Sequence, residues 1–180
     1  MNPQHCNNTF LSPLQQQLEQ QLQWVTKVVQ NLPENTLHKP SATGGWSIAA
    51  CLWHLNSYYA YYLPILEQKL QQTQVSKPFT YGWLGAYFTR IMEPGKQLKK
   101  YAAFKTHVPP PQLNGYATVY EFIQYHERFM QLLQQAQYTN LNARIPISIS
   151  KLIRLKAGDV FGFIIAHNKR HIQQAQRNVA

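Results

Sequence analysis

Apolar residues recur at helical spacing in four stretches of the chain. Leu14, Leu18, Leu22, Val25, Val28, Val29 and Leu32 follow Ser12-Pro13, which reads as an N-cap with proline at the first helical position, and Pro33 closes the run. A second helix is predicted over 46–72. One stripe holds Leu52, Leu55, Tyr59, Leu63, Leu66 and Leu70, and another holds Cys51, Tyr58, Tyr61 and Ile65, so this helix packs against several neighbours. Pro64 inside it predicts a kink. Val119, Phe122, Ile123, His126, Phe129, Met130 and Leu133 mark the inner face of a third helix over 118–138, and a fourth covers 157–176.

Between these stretches the pattern breaks down. Residues 1–11 read as a flexible lead, leaving one domain over 12–177, and 33–45 read as a loop around Pro40 and Gly44-Gly45. Residues 73–116 are irregular. They hold a short predicted helix within 79–91, with Trp83, Tyr87 and Phe88 facing inward, then Pro94-Gly95 and the stiff Pro109-Pro110-Pro111. A connection of this length suits a crossover that lets helices two and three run parallel. The segment RIPISISKLIRL at 144–155 is expected to be partly extended. The fold class is therefore all-α, a four-helix bundle with a long crossover between helices two and three.

Composition narrows the function classes. The 180 residues suit one domain with a sizeable core. Lys+Arg number 17 against 7 Asp+Glu, a formal charge of +10, which attracts anions. The cations are dispersed in loose clusters, Lys96, Lys99, Lys100 and Lys105 in one and Lys151, Arg154 and Lys156 in another. No helix rich in Arg or Asn and no RNA-binding aromatic signature accompanies them, which argues against a nucleic-acid partner. Cys6 and Cys51 form no disulfide framework, no secretory signal opens the chain, and no apolar run is long enough to span a membrane. A cytoplasmic protein without a membrane partner is expected. An aromatic bundle surface is also compatible with a homodimer.

The candidate chemistry lies in the histidines. His5, His38 and His107 fall in loops or at the terminus and read as exposed, while His126 reads as a satisfied core residue on helix three. His167 and His171 are one helical turn apart and share a face with Val160, Phe163, Ile164 and Gln174, so both rings point into the bundle. Imidazoles at i and i+4 can place a nitrogen each on one ion. His54, on the stripe with Cys51, Tyr58 and Tyr61, is the candidate third ligand. Three imidazoles from two helices leave coordination positions open for substrate, as in catalytic rather than structural metal sites. Cys51 reads as a buried thiol or as a fourth ligand. Lys169 and Arg170 lie off the histidine face and read as solvated surface.

Two motifs carry a resemblance. WSIAACLWHLN at 46–56 and KAGDVFGFIIAHNKRHIQQA at 156–175 stand in the order and at the separation seen in the DinB/YfiT-like superfamily, and the chain resembles its members over about 12–177. Trp46, Ser47 and His54 match its second helix, and Gly158, Asp159, His167, His171 and Gln174 match its fourth. The resemblance implies an up-down-down-up bundle and a divalent ion, zinc or nickel, on His54, His167 and His171. It also implies chemistry of the kind done by the superfamily's metal-dependent transferases and isomerases, which use low-molecular-weight thiols. The partner would then be a small-molecule thiol or electrophile, with Tyr58 and Tyr61 orienting substrate or lending a proton, and Lys169 and Arg170, beside their reading as solvated surface, able to attract a carboxylate-bearing thiol. Many relatives carry an acidic residue one turn after the first histidine, where this chain has Ser57, beside Asn56. Metal-assisted hydrolysis at the same site, and a non-enzymatic binding role, are the alternatives.

Overall fold

The computed structural model describes residues 3–41, 44–71, 77–95 and 102–179. Four long helices form the bundle: α1 (Pro3–Lys27), α3 (Ile48–Gln71), α5 (Gly115–Gln135) and α6 (Ala157–Gln176). Two short helices, α2 (Glu34–His38) and α4 (Trp83–Met92), and an antiparallel hairpin of β1 (Arg144–Ile147) and β2 (Ser150–Lys156) complete it. Side-chain bonds fix the helix directions. Asn7 on α1 reaches Thr139 just beyond α5, and His126 of α5 reaches Leu18, so α1 and α5 are antiparallel. Asn56 meets Glu121 and Glu67 meets Arg128, so α3 and α5 are parallel. Trp46, just before α3, lies against His171 and Tyr58 lies against Phe163, so α3 and α6 are antiparallel. The topology is up-down-down-up, with α5 and α6 each packed between α1 and α3.

One buried chain of hydrogen bonds joins all four helices. His126 Nε2 donates to the Leu18 carbonyl at 2.9 Å, which leaves Nδ1 to accept from Tyr59 Oη at 2.9 Å. Asn168 Nδ2 in turn donates to Tyr59 Oη. Leu18 is on α1, Tyr59 on α3, His126 on α5 and Asn168 on α6, and all four residues are buried. Polar groups out of water must be paired, and a misregistered bundle would leave several of these unpaired at once. The expectation of a satisfied core histidine at 126 holds. Burial pushes its pKa down from the ordinary 6.5 to about 4, so the ring is neutral.

The helical pattern locates the elements well, with two corrections. α1 starts at Pro3 and not at Ser12, so the lead expected over 1–11 is helical from residue 3. Its first turns are anchored by tertiary contacts: Asn7 and Leu11 are buried, and Phe10 packs on Phe79 and Tyr81. Ser12 bonds back to the Asn8 carbonyl within the helix instead of capping it. The second correction concerns α4. Trp83 is 82% exposed and Tyr87 is also largely exposed, whereas Leu84, Gly85, Phe88 and Met92 face the core. α3 is helical through Pro64, and Ser47 accepts from the Ala50 amide at its start.

The crossover is stitched down where it meets α5. Glu34, on the short helix α2 within the stretch expected to be a loop, accepts the Gly115 and Tyr116 amides at the start of α5, where Asn114 also caps Ala117. Negative charge there is favoured by the helix dipole. Among the described residues, no helix is long and apolar enough to cross a membrane. Tyr59→Phe keeps the ring but removes the hydroxyl between His126 and Asn168. The urea midpoint is expected to fall by the equivalent of about 1–3 kcal/mol, and an unchanged midpoint would show that the buried chain does not hold the bundle.

Candidate metal centre

The antiparallel crossing of α3 and α6 brings His54 opposite His167 and His171. Ring nitrogens from the three residues lie within 4.8 Å of one another, and the Nε2 atoms of His54 and His167 are 3.1 Å apart. Trp46 packs against both His54 and His171, and Phe163 stacks on His167. The wall is apolar and aromatic because each ring projects from a helix face built for the core.

Hydrogen bonds at the far nitrogens set the tautomers. His54 Nδ1 donates to the His107 carbonyl at 2.7 Å, and His171 Nδ1 donates to Gln174 Oε1 at 3.1 Å. Each therefore keeps Nε2 as a lone pair. This is how metal-binding histidines are usually braced by a second layer of groups. His167 can supply at most one N–H, so at least one of those lone pairs has no proton from the triad. Burial and the neighbouring imidazoles push all three pKa values below the ordinary 6.5, to about 4 for His54 and about 3 for His171, with Arg170 adding to the effect at His167 and His171. Neutral imidazoles are the form that ligates. Two nitrogens bound to one ion at ~2.0–2.1 Å with near-tetrahedral angles sit about 3.3 Å apart, close to the observed Nε2 separation. The residues present fit a divalent ion.

His107 corrects the sequence reading. It was expected to be exposed in a loop, yet it is 4% exposed and closes a 3-10 turn of the crossover, Lys105–His107. Its ring stacks on Tyr58 with centroids 3.9 Å apart. Its Nδ1 donates to Ser57 Oγ at 2.8 Å, and Ser57 donates to the His54 carbonyl at 2.6 Å. Ser57 thus ties the crossover to the helix bearing His54. Helical periodicity cannot place a residue on a crossover, and nothing in the local spacing marks His107.

The remaining expected residues divide. Tyr58 lies edge-on to His54 and His167 and lines the cavity in front of them. Tyr61 does not line it; its hydroxyl donates to the Ile147 carbonyl of β1. The helical turn that aims Tyr58 at the metal-side wall carries Tyr61 round to the hairpin. Cys51 is buried, its thiol pKa pushed up to about 12 by desolvation, and it is outside the histidine group. Lys169 pairs at the surface with Glu93, but Arg170, also expected in solvent, is 9% exposed and lines the cavity.

The cavity measures about 740 Å³. α4 forms one wall through Tyr87, Phe88, Ile91 and Met92, and the hairpin contributes Ile147 and Ile149. α4 is seated by close contact with α6. A Cβ at Gly85 would come within 2.2 Å of the Asp159 carboxyl carbon, and one at Gly158 within 2.5 Å of the Phe79 ring. Asp159 also accepts the Gly82 amide at 3.0 Å.

The family model of the DinB superfamily matches residues 17–175, and the chain belongs to that superfamily. No curated protein matches the chain. Among solved structures it is similar to YfiT from Bacillus subtilis, described as a probable metal-dependent hydrolase with an unusual four-helix bundle topology. The two align with a TM-score of 0.54 at 14% identity, over 96% of this chain and 85% of that one. At that identity the likeness concerns the fold.

Gly85→Ala is expected to push α4 away from Asp159 and to lower the denaturation midpoint by the equivalent of about 1–3 kcal/mol, the usual cost of overpacking. A variant as stable as the parent would mean that α4 is not held by this contact.

Proposed function

We propose that the chain holds a divalent metal, zinc or nickel, on His54, His167 and His171 and acts as a metal-dependent transferase of a small-molecule thiol. The observation that carries the metal is the pair of imidazole lone pairs fixed by the His107 carbonyl and Gln174 beside the His167 ring. Imidazole nitrogens suit either metal. The description of YfiT as metal-dependent supports the same assignment.

The lining of the cavity favours thiol transfer over hydrolysis. It contains no Asp or Glu among the described residues. A divalent ion supplies Lewis acidity that lowers the pKa of a thiol or water reaching it. A thiol, ordinarily near 8.5, needs far less help to lose its proton than water does, so it can react without a carboxylate base. Tyr58 is desolvated and its phenol pKa is pushed well above the ordinary 10, so at neutral pH it is a hydrogen-bond donor and not a base. It is placed to orient a group in front of His54 and His167. Trp46 and Phe163 exclude water from the histidine wall. Hydrolysis remains the second reading, on the strength of the YfiT description.

The test is conjugation of cysteine to monochlorobimane, in which an S–C bond forms and chloride leaves, followed by fluorescence. Protein supplied with zinc or nickel is expected to exceed chelator-treated protein by roughly a hundredfold, and His54→Ala is expected to lose the difference. Equal rates across all three samples would contradict the transferase reading.

A further inference from the structure

The cavity is built asymmetrically, and its asymmetry describes a ligand. Along α6 and its C-cap, Arg170, Gln174 and Arg177 follow one another at i, i+4 and i+7 beside the stripe that carries His167 and His171, and all three line the cavity. Arg170 is nine-tenths buried, and its charge is close enough to His167 and His171 to help keep both rings neutral. The lining also holds a group of side chains with almost no polar atom: Tyr87, Phe88, Ile91 and Met92 of α4, with Phe104 and Ile149. No described carboxylate lines the space.

We infer that the cavity binds an amphipathic anion, its carboxylate or phosphate head on Arg170 and Arg177 and its apolar body along the α4 wall. A guanidinium presents paired donors that match either head. Arg170 is held nine-tenths buried and Arg177 stands exposed, so an anion can meet one guanidinium inside the cavity and the other in solvent. The volume of about 740 Å³ falls within the ~300–1,000 Å³ typical of small-molecule sites and leaves room for more than a head group. α4 lends the cavity Tyr87, Phe88, Ile91 and Met92 while Trp83 stays out. The inference names the substrate class of the proposed transferase and rests on that reading for its catalytic meaning. The binding itself needs no metal.

The test is calorimetric titration of chelator-treated protein with decanoate, decyl phosphate, decanol and acetate, so that failure of the metal assignment does not affect it. Decanoate, decyl phosphate or both are expected to bind at least about tenfold more tightly than decanol, with acetate too weak to measure. The better of the two anions identifies the head. Arg177→Gln, at an exposed position, and Arg170→Gln, checked for an unchanged melting temperature, are each expected to erase most of that preference. Decanol binding as tightly as the anions, no binding of any of the four, or an anion preference that survives both substitutions would overturn the inference. Loss of thiol transfer with anion binding intact would instead strike only the proposed reaction.

Discussion

The site depends on a shortage of donors that the fold creates. His54 is made to present a lone pair by the carbonyl behind it, His171 by Gln174, and the crossing of α3 and α6 brings His54 within 3.1 Å of His167. Water cannot freely relieve this arrangement, because His54 and His167 are buried and rings of Trp46, Tyr58 and Phe163 surround them. The one N–H that His167 can supply satisfies one of these lone pairs at most; in a low-dielectric wall the other is costly, and the direct remedy is a positive centre between the rings. Everything else at the site keeps that geometry from relaxing.

Two separate devices do so. The chain of hydrogen bonds from Leu18 through His126 and Tyr59 to Asn168 fixes the axial register of the four helices next door to His167. The 3-10 turn at His107 does the same for the ring of His54, and Ser57 bridges turn and helix. The hairpin and α4 complete the enclosure by walling the space in front of the histidines. The long crossover thus does two jobs: it allows α3 and α5 to run parallel, and it supplies a backbone acceptor to the centre.

Much of this is legible in the sequence because it is periodic. The four-helix count, the boundaries of α6, the inward faces of His54, His167 and His171, and the structural character of His126 all follow from residues repeating at three and four positions. What the periodicity misses lies outside helices or at their margins. The start of α1 was misplaced because Ser12-Pro13 is a strong local signal overridden by tertiary anchoring of Asn7, Phe10 and Leu11. His107 sits on a crossover whose path no local pattern fixes. Arg170 lies just off the histidine face, and only the position of α4 turns that flank from surface into cavity. Tyr61 shows the reverse error, a residue on the right broad stripe that the hairpin claims.

The most direct test of the account is metal content by mass spectrometry of the untagged protein, alongside a variant carrying His167→Ala and His171→Ala. The account predicts one divalent ion per chain in the parent, after purification or incubation with zinc or nickel, and loss of that ion in a variant that still folds. A parent that takes up no ion under either condition would contradict it and leave three buried imidazoles without a ligand to explain them.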